Sequence, residues 1–233
     1  MKILKICSAF YPAWAYGGPV AVAYMFSKEL SKAGYDVTVL TTDAYDEKCR
    51  VRKSYEVKDG IKIYYFRNLS NFLAWRYRIF TPFGMIYKML PFIKQADIIH
   101  LHDYRTIYNI AVYHYAQKYN KPYIVQVHGS LLTYFQKRFL KTLYDKVLGI
   151  RMLIKASKII VLNNFELNQC KQLGISLDRV EVIPNPIDLR LFEKIPDYGF
   201  FKEKYNIPLN SKIILYLGRI HVVKGVDILV KAF

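Results

Sequence analysis

The sequence predicts an α/β protein built on a parallel sheet with helices on both faces, followed by the opening of a second α/β unit. Three observations predict this. Short, wholly apolar runs alternate with longer stretches of helical period, the pattern of buried parallel strands joined by helices. Pro184-Asn185-Pro186 then interrupts all regular structure, because two prolines around one residue hold the chain extended. After it the alternation restarts with one apolar run and the start of one helix.

In chain order, 3–10 reads as a buried first strand. A helix over 19–32 follows, with Val20, Ala23, Tyr24, Ser27 and Leu30 at helical spacing and Gly34 as its stop. Strands are predicted at 37–42 and, after an Asp59-Gly60 turn, at 61–66. Helical patterns at 82–94, 104–119, 131–148 and 165–173 alternate with strands at 97–102, 123–128, 158–162 and 180–183. Beyond the prolines, 213–217 reads as a strand, 218–224 as a loop and 226–233 as the first turns of a helix. One strand and part of a helix cannot bury their own apolar faces.

Composition narrows the class. The chain has 233 residues, 53% apolar and 16% aromatic, so it can bury a core and is not disordered. Eleven glycines and nine prolines are too few for a low-complexity chain. Cys7, Cys49 and Cys170 are far apart and odd in number, which argues against a disulfide framework and for a reducing compartment. No Cys/His spacing suggests zinc. The apolar stretch 72–93 carries Arg76, Arg78, Lys88 and two prolines, and falls short of a membrane span. The first residues read as a strand rather than a leader peptide, since Pro12 cuts their apolar run. Charge is uneven: the net charge is +17, and between Asp59 and Glu166 sixteen Lys and Arg face only Asp97, Asp103 and Asp145. Such a field favours nucleotide phosphates, nucleic acid or an anionic membrane.

Four short segments could carry chemistry. Tyr16-Gly17-Gly18-Pro19 lies between the first strand and helix, at the edge where doubly wound sheets bind ligands. Two glycines let backbone approach a ligand, and Pro19 suits a first helical position whose N-terminus attracts anions. The G-x-G-x-x-G fingerprint is absent, and a plain tight turn is the other reading. His100-Leu101-His102-Asp103 ends a strand; with both histidines on one face and no acidic cluster beside them, an anchoring role is favoured over metal binding. His128-Gly129-Ser130 ends another strand, where Ser130 can cap the next helix and His128 could bond a sugar or phosphate, or simply close the strand. Gly218-Arg219 and Lys224-Gly225 put two cations in a glycine-bounded loop leading into a helix, a pattern suited to a pyrophosphate.

The 131–148 pattern sets Leu131, Phe135, Phe139, Leu143 and Val147 in one apolar stripe. Tyr134, Lys137, Lys141 and Tyr144 fall opposite, a basic face that could rest on a membrane, meet an anionic acceptor or stay solvated. D-x-D, a Walker-type loop and G-x-S-x-G are all absent.

Taken together, Tyr16 to Thr42, Asp97 to Tyr104, Pro122 to Ser130, Val180 to Asp188 and Ile214 to Phe233 resemble a family 4 glycosyltransferase of the GT-B fold. The order and spacing of the blocks, across nearly the whole chain, is more specific than any one of them. The resemblance implies an N-terminal acceptor-side Rossmann-like domain over 1–184, a linker over 185–210 and the start of a truncated donor-binding domain over 211–233. It implies a retaining, metal-independent sugar transfer from a nucleotide-sugar donor, itself a substrate, to a glycan or lipid-linked acceptor, with no cofactor. Arg219 and Lys224 match the family's donor-pyrophosphate pair, His128 its histidine near the reaction centre, and Gly17 and Gly18 its cleft-lining loop. The basic, aromatic surface carrying Lys137 and Lys141 matches the side that meets a membrane or acceptor, so a cytoplasmic protein, peripheral at the inner face, is expected. The family's paired glutamates would lie past Phe233, so the chain is expected to be incomplete alone, with a separate chain as one source of the C-terminal half. Two readings stand beside this one: a non-catalytic basic membrane-surface or scaffold domain, and a nucleic-acid-binding protein, the latter lacking any recognised RNA or DNA module.

Overall fold

Lys2–Ile6 (β1) is apolar at Ile3, Leu4 and Ile6, all buried, and forms a central strand of an eight-stranded sheet. The computed structural model describes residues 1–131, 138–218, 220 and 224–233. They fall into two compact units, Met1–Pro186 and Ile187–Phe233. In the first, β1 leads into α1 (Gly18–Lys32), then β2 (Asp36–Thr42), β3 (Tyr55–Lys58) and β4 (Ile61–Phe66). Three short helices follow, α2 (Asn71–Tyr77), α3 (Met85–Lys88) and α4 (Leu90–Gln95). Next come β5 (Ile98–His102), α5 (Ile107–Lys118) and β6 (Tyr123–Gln126). The unit closes with α6 (Arg138–Tyr144), a π-turn at Asp145–Gly149, α7 (Ile150–Ile154), β7 (Lys158–Val161), α8 (Asn164–Gln172) and β8 (Val180–Val182).

The strand order is β3-β4-β2-β1-β5-β6-β7-β8. Every neighbouring pair is parallel except β3 with β4. That exception corrects the all-parallel expectation. Asp59 and Gly60 both take positive φ, 50° and 76°, the backbone of a two-residue hairpin turn, so the turn joins two antiparallel strands. β3 escapes an apolar-run criterion because three of its four residues are exposed on the sheet edge. The expected 82–94 helix is broken into α3 and α4, and α2 was not expected at all. Ser70 caps α2 by accepting from Leu73 N at 3.2 Å.

Both faces of the sheet are covered. Leu4, Ile6, Leu40, Ile99, Leu101, Val125 and Ile159 pack against Ile93, Tyr108, Val112 and Leu153 of the helices on one side. Val37, Val39, Ile61 and Ile63 pack with Ala23 of α1 on the other. Because β2 lies to one side of β1 and β5 to the other, the chain reverses its direction of winding at β1. Crevices outside the carboxyl ends of strands form at such a reversal.

In the second unit, residues expected as linker carry a 3-10 turn at Leu189–Phe192 and α9 (Phe200–Lys204), and α10 (Val226–Ala232) comes last. The predicted strand at 213–217 is not one: no strand pairs with it, and Ile214, Leu215 and Leu217 are exposed. A strand needs a neighbour for its backbone hydrogen bonds, and among the described residues this segment has none. No helix among the described residues is long and apolar enough to cross a membrane.

Candidate functional site

The carboxyl ends of β1, β5 and β6 bring polar side chains together. Ser8, just past β1, donates its hydroxyl to Asp103 Oδ2 at 2.5 Å and shares a short bond with the buried Tyr108 hydroxyl. The backbone oxygen of Ser8 accepts from Thr42 at 2.7 Å, tying the loop to the end of β2. Asp103, just past β5, has φ +70°, and its own carbonyl accepts from Asn109 at 3.0 Å. His128, two residues past β6, has φ +47° and is followed by Gly129 at φ +76°. The turn is closed by Ser130 N donating to Val127 O at 3.0 Å. Non-glycine residues rarely adopt positive φ, so Asp103 and His128 are held there by their surroundings.

Those surroundings are identifiable. Arg105 forks onto Asp145, Nε to Oδ1 at 2.9 Å and Nη2 to Oδ2 at 2.6 Å. The same guanidinium bonds the carbonyls of Ser130 and, at 2.8 Å, Leu131. One planar cation thus fastens the turn after His128 to the π-turn at Asp145. On the sheet face below, His102 Nδ1 lies 3.0 Å from His128 Nε2, and the rings of His100, His102 and His128 stack in sequence at 4.2 and 5.3 Å. Burial pushes His100 and His102 well below the usual histidine range, and the positive charge of Lys5 pushes the same way. Burial also lowers His128, against the Asp103 carboxylate, which pulls it up. All three rings are therefore neutral near pH 7.

Gly17 caps α1 with φ +94° and ψ −153°, a region open essentially only to glycine. A Cβ added at Gly18 would meet nothing within 4 Å, so bare backbone faces open space there. Tyr16 anchors the loop, buried against Trp75 and Phe80. Gly17, Gly18 and His128 therefore all lie on loops at the carboxyl edge of one sheet. Lys224 is exposed in the second unit, beside Gly225, which caps α10 with φ +63°. Arg219 and Lys137 lie outside the described residues. Lys141 is half-buried in α6.

The apolar stripe of 131–148 is only partly buried. Leu131 is buried, but Phe139, Leu143 and Val147 are 78%, 50% and 52% exposed, and Phe135 lies outside the described residues. On the opposite side Tyr144 points inward and bonds the carbonyls of Tyr104 and Thr106 at 3.3 Å, while Tyr134 and Lys137 lie outside the described residues. The Arg105–Asp145 pair holds that side against the core, and the π-turn shifts the helical register after Tyr144.

Ser8, Lys5, Arg105 and Tyr108 were missed in the sequence. None sits in a recognisable spacing, and only Lys5, a lone charge inside an apolar run, gives a local signal. Among the described residues, no group of three or more His, Cys, Asp or Glu could hold a metal ion.

The family model for Glycosyltransferase Family 4 matches residues 16–191. A D-inositol 3-phosphate glycosyltransferase of Xylanimonas cellulosilytica is 31% identical over 94 residues, 37% of this chain and 22% of that protein. A phosphatidylinositol N-acetylglucosaminyltransferase polypeptide of Arabidopsis thaliana is 25% identical over 83% of this chain and 41% of its own. Among solved structures, Anabaena HepE in complex with UDP-glucose superposes with TM-score 0.58 at 17% identity, over 88% of this chain and 50% of that one. That likeness is one of fold, the GT-B architecture. The chain spans between 22% and 60% of the length of the curated relatives it matches.

Proposed function

The chain belongs to Glycosyltransferase Family 4, and we propose that it transfers a sugar from a nucleotide-sugar, with retention and without a metal, to a glycan or lipid-linked acceptor. The observation that carries this reading is the carboxyl edge of β1, β5 and β6, where a bare glycine loop, a helix N-terminus and a neutral, backbone-constrained histidine lie on loops of one sheet edge within the family-matched segment. In this reading His128 hydrogen-bonds the donor sugar, and Gly17 and Gly18 let the donor or acceptor approach the start of α1. Arg219 and Lys224 hold the pyrophosphate and stabilise charge on the departing nucleotide. A second α/β half, in the same polypeptide or a separate one, completes the donor pocket. A lipid-linked acceptor accords with the phosphatidylinositol named in one relative, and a UDP-hexose is the first donor to try, since HepE binds UDP-glucose. The enzyme would then work at the inner face of the membrane, with Lys137 and Lys141 on the acceptor or membrane side.

The test is release of UDP from UDP-glucose by the chain, alone and with the C-terminal half of a relative added. His128→Ala and Lys224→Ala should each lower turnover by about 10²-fold. Turnover unchanged by both substitutions, or binding of no nucleotide-sugar under either condition, overturns the reading. Enzyme-like rates from the 233 residues alone would show that no second half is needed.

A further inference from the structure

A pocket of about 200 Å³ opens where β1, β2 and β4 begin, at the opposite edge of the sheet from Gly17 and His128. Strand register builds its floor: Leu4 pairs with Thr38 and Thr38 with Lys62, so these side chains share one face. Leu4 is buried there, whereas Thr38, Lys62 and Tyr64 are half-buried. One wall is α4, through Phe92 and the exposed Gln95. Three aromatic rings link the sheet edge to that wall. Tyr55 and Tyr64 pair across β3 and β4 with ring centres 4.7 Å apart, and Tyr64 and Phe92 lie 4.8 Å apart. Lys62 Nζ donates to both oxygens of Asp36, at 2.8 and 3.1 Å, and both residues line the pocket. Among the described residues, neither the Thr38 hydroxyl nor the Gln95 amide bonds another protein group, so both are open to a ligand.

We propose that this pocket holds one ring of a neutral glycan, with the sugar's C–H face on Tyr64 and its hydroxyls on Thr38, Gln95 and the Asp36–Lys62 pair. A pyranose has a C–H face that packs on the electron-rich face of an aromatic ring, and hydroxyls that both donate and accept. The pocket answers both needs: Asp36 and the Gln95 carbonyl accept, while Lys62 and the Gln95 amide nitrogen donate. Size points the same way, since about 200 Å³ is below the roughly 300–1,000 Å³ of sites that enclose a drug-sized molecule. A single sugar ring suits that space better than a whole nucleotide. A phosphate fits less well, because the Lys62 ammonium is already answered by Asp36, whose carboxylate would repel the anion. Lys2, exposed among the lining residues, adds one cation, which is why the test includes inorganic phosphate. A purely apolar ligand would strip water from the ion pair, Thr38 and Gln95 without replacing it. Reacting ligands bind at the carboxyl edge of such a sheet, so a glycan at the amino edge is held rather than transformed. The proposal goes beyond the transfer reaction, adding a second sugar contact at the other edge of the sheet from His128.

The ¹⁵N-labelled full chain is titrated with maltohexaose, cellohexaose, chitohexaose and mannohexaose in turn and followed by ¹H–¹⁵N NMR, with inorganic phosphate and AMP as comparisons. At least one of these glycans is expected to shift the amides of Thr38, Tyr64 and Gln95 saturably. Tyr64→Leu, which removes the ring and keeps an apolar body over the core, should weaken binding of that glycan about tenfold. Gln95→Ala, at an exposed helix position, should cost about fivefold. Should Tyr64→Leu not fold, Gln95→Ala alone decides. No shift at these amides with any of the glycans overturns the proposal. So do shifts confined to the loops of Gly17 and His128, an affinity for phosphate or AMP above that of the best glycan, or native affinity in the variants. No nucleotide-sugar enters the titration, so it can fail while UDP release stands, and the reverse.

Discussion

His102 and His128 share one hydrogen bond, Nδ1 of the first to Nε2 of the second at 3.0 Å. Both rings are held neutral, so that bond contains a single proton and one ring must accept. His102 Nε2 is buried without a partner. If His102 donated through Nδ1, Nε2 would be a bare lone pair. If it accepted, its proton would sit on Nε2 as an orphaned buried donor, facing the positive charge of Lys5 that already acts on this ring. The first arrangement costs less. His128 then accepts at Nε2 and carries its own proton on Nδ1, available to a ligand.

The expected outcome is that ¹⁵N-histidine NMR near pH 7 reads His128 as the Nδ1–H tautomer in the native protein. His102→Asn, which keeps a donor near the same place, should preserve it, and His102→Leu should release His128 towards the Nε2–H form. A native His128 protonated on Nε2 would reverse the assignment.

Arg105 and Asp145 are respectively 13% and 10% exposed and make two hydrogen bonds to each other. Removing one partner leaves the other charge buried and also frees the Ser130 and Leu131 carbonyls from the guanidinium. Asp145→Ala should destabilise the chain by about 3–5 kcal/mol in urea unfolding. Arg105→Lys should recover only part of this relative to Arg105→Ala, because an ammonium cannot reproduce the fork. Equal stability of Arg105→Lys and the native protein would show that the planar geometry is irrelevant.

Acid should expose the histidine stack. An unfolded histidine titrates near 6.5, whereas His100 and His102 stay neutral in the fold well below that. Below about pH 6.5 the unfolded chain binds protons that the native state does not, so stability falls with falling pH. Each fully buried ring contributes up to about 1.4 kcal/mol per pH unit. Stability measured at pH 7 and pH 5.5 should differ by a few kcal/mol, and His100→Gln should shrink that difference while leaving the rest. An unchanged pH slope in His100→Gln would place His100 outside the linkage.

The parallel strands were legible because β1, β2, β4, β5 and β6 each contain a short apolar run, and burial on both faces demands that composition. β3 was illegible for the converse reason: Tyr55, Val57 and Lys58 face solvent on an edge. The Gly17 loop and His128 stand out as residue types at strand ends. Asp103 and Ser8 do not, since their meeting depends on the pairing of β1 with β5 across 95 residues. The exposed 139–147 stripe shows the limit of periodicity. A buried ion pair and a π-turn fixed the orientation of that helix, and neither leaves a hydrophobic signature.

Lys5 is the clearest case of a visible residue whose role needs the fold. It is fully buried within β1, and among the described residues its Nζ reaches only Ala23 O, at 3.4 Å, with the Phe26 ring 5.8 Å away. Burial lowers it to about 8 from 10.5, with the nearby Cys7 opposing. Below pH 8 both the folded and unfolded chains hold the proton, and the native state carries an unpaired buried charge. Above pH 8 the native state releases it while the unfolded chain keeps it until about 10.5, so stability rises with pH. The Cys7 thiol, pushed up from 9.0 by the same burial, works against this above pH 9, where the unfolded thiol ionises and the native one does not. The net gain is thus confined to the interval from about pH 8 to 9, at most about 1.4 kcal/mol. Lys5→Met should abolish that rise and stabilise the protein at pH 7 by on the order of 2 kcal/mol. A native-like rise retained in Lys5→Met would assign it to another group. A loss of stability at pH 7 would mean that the buried ammonium makes a contact worth more than its desolvation.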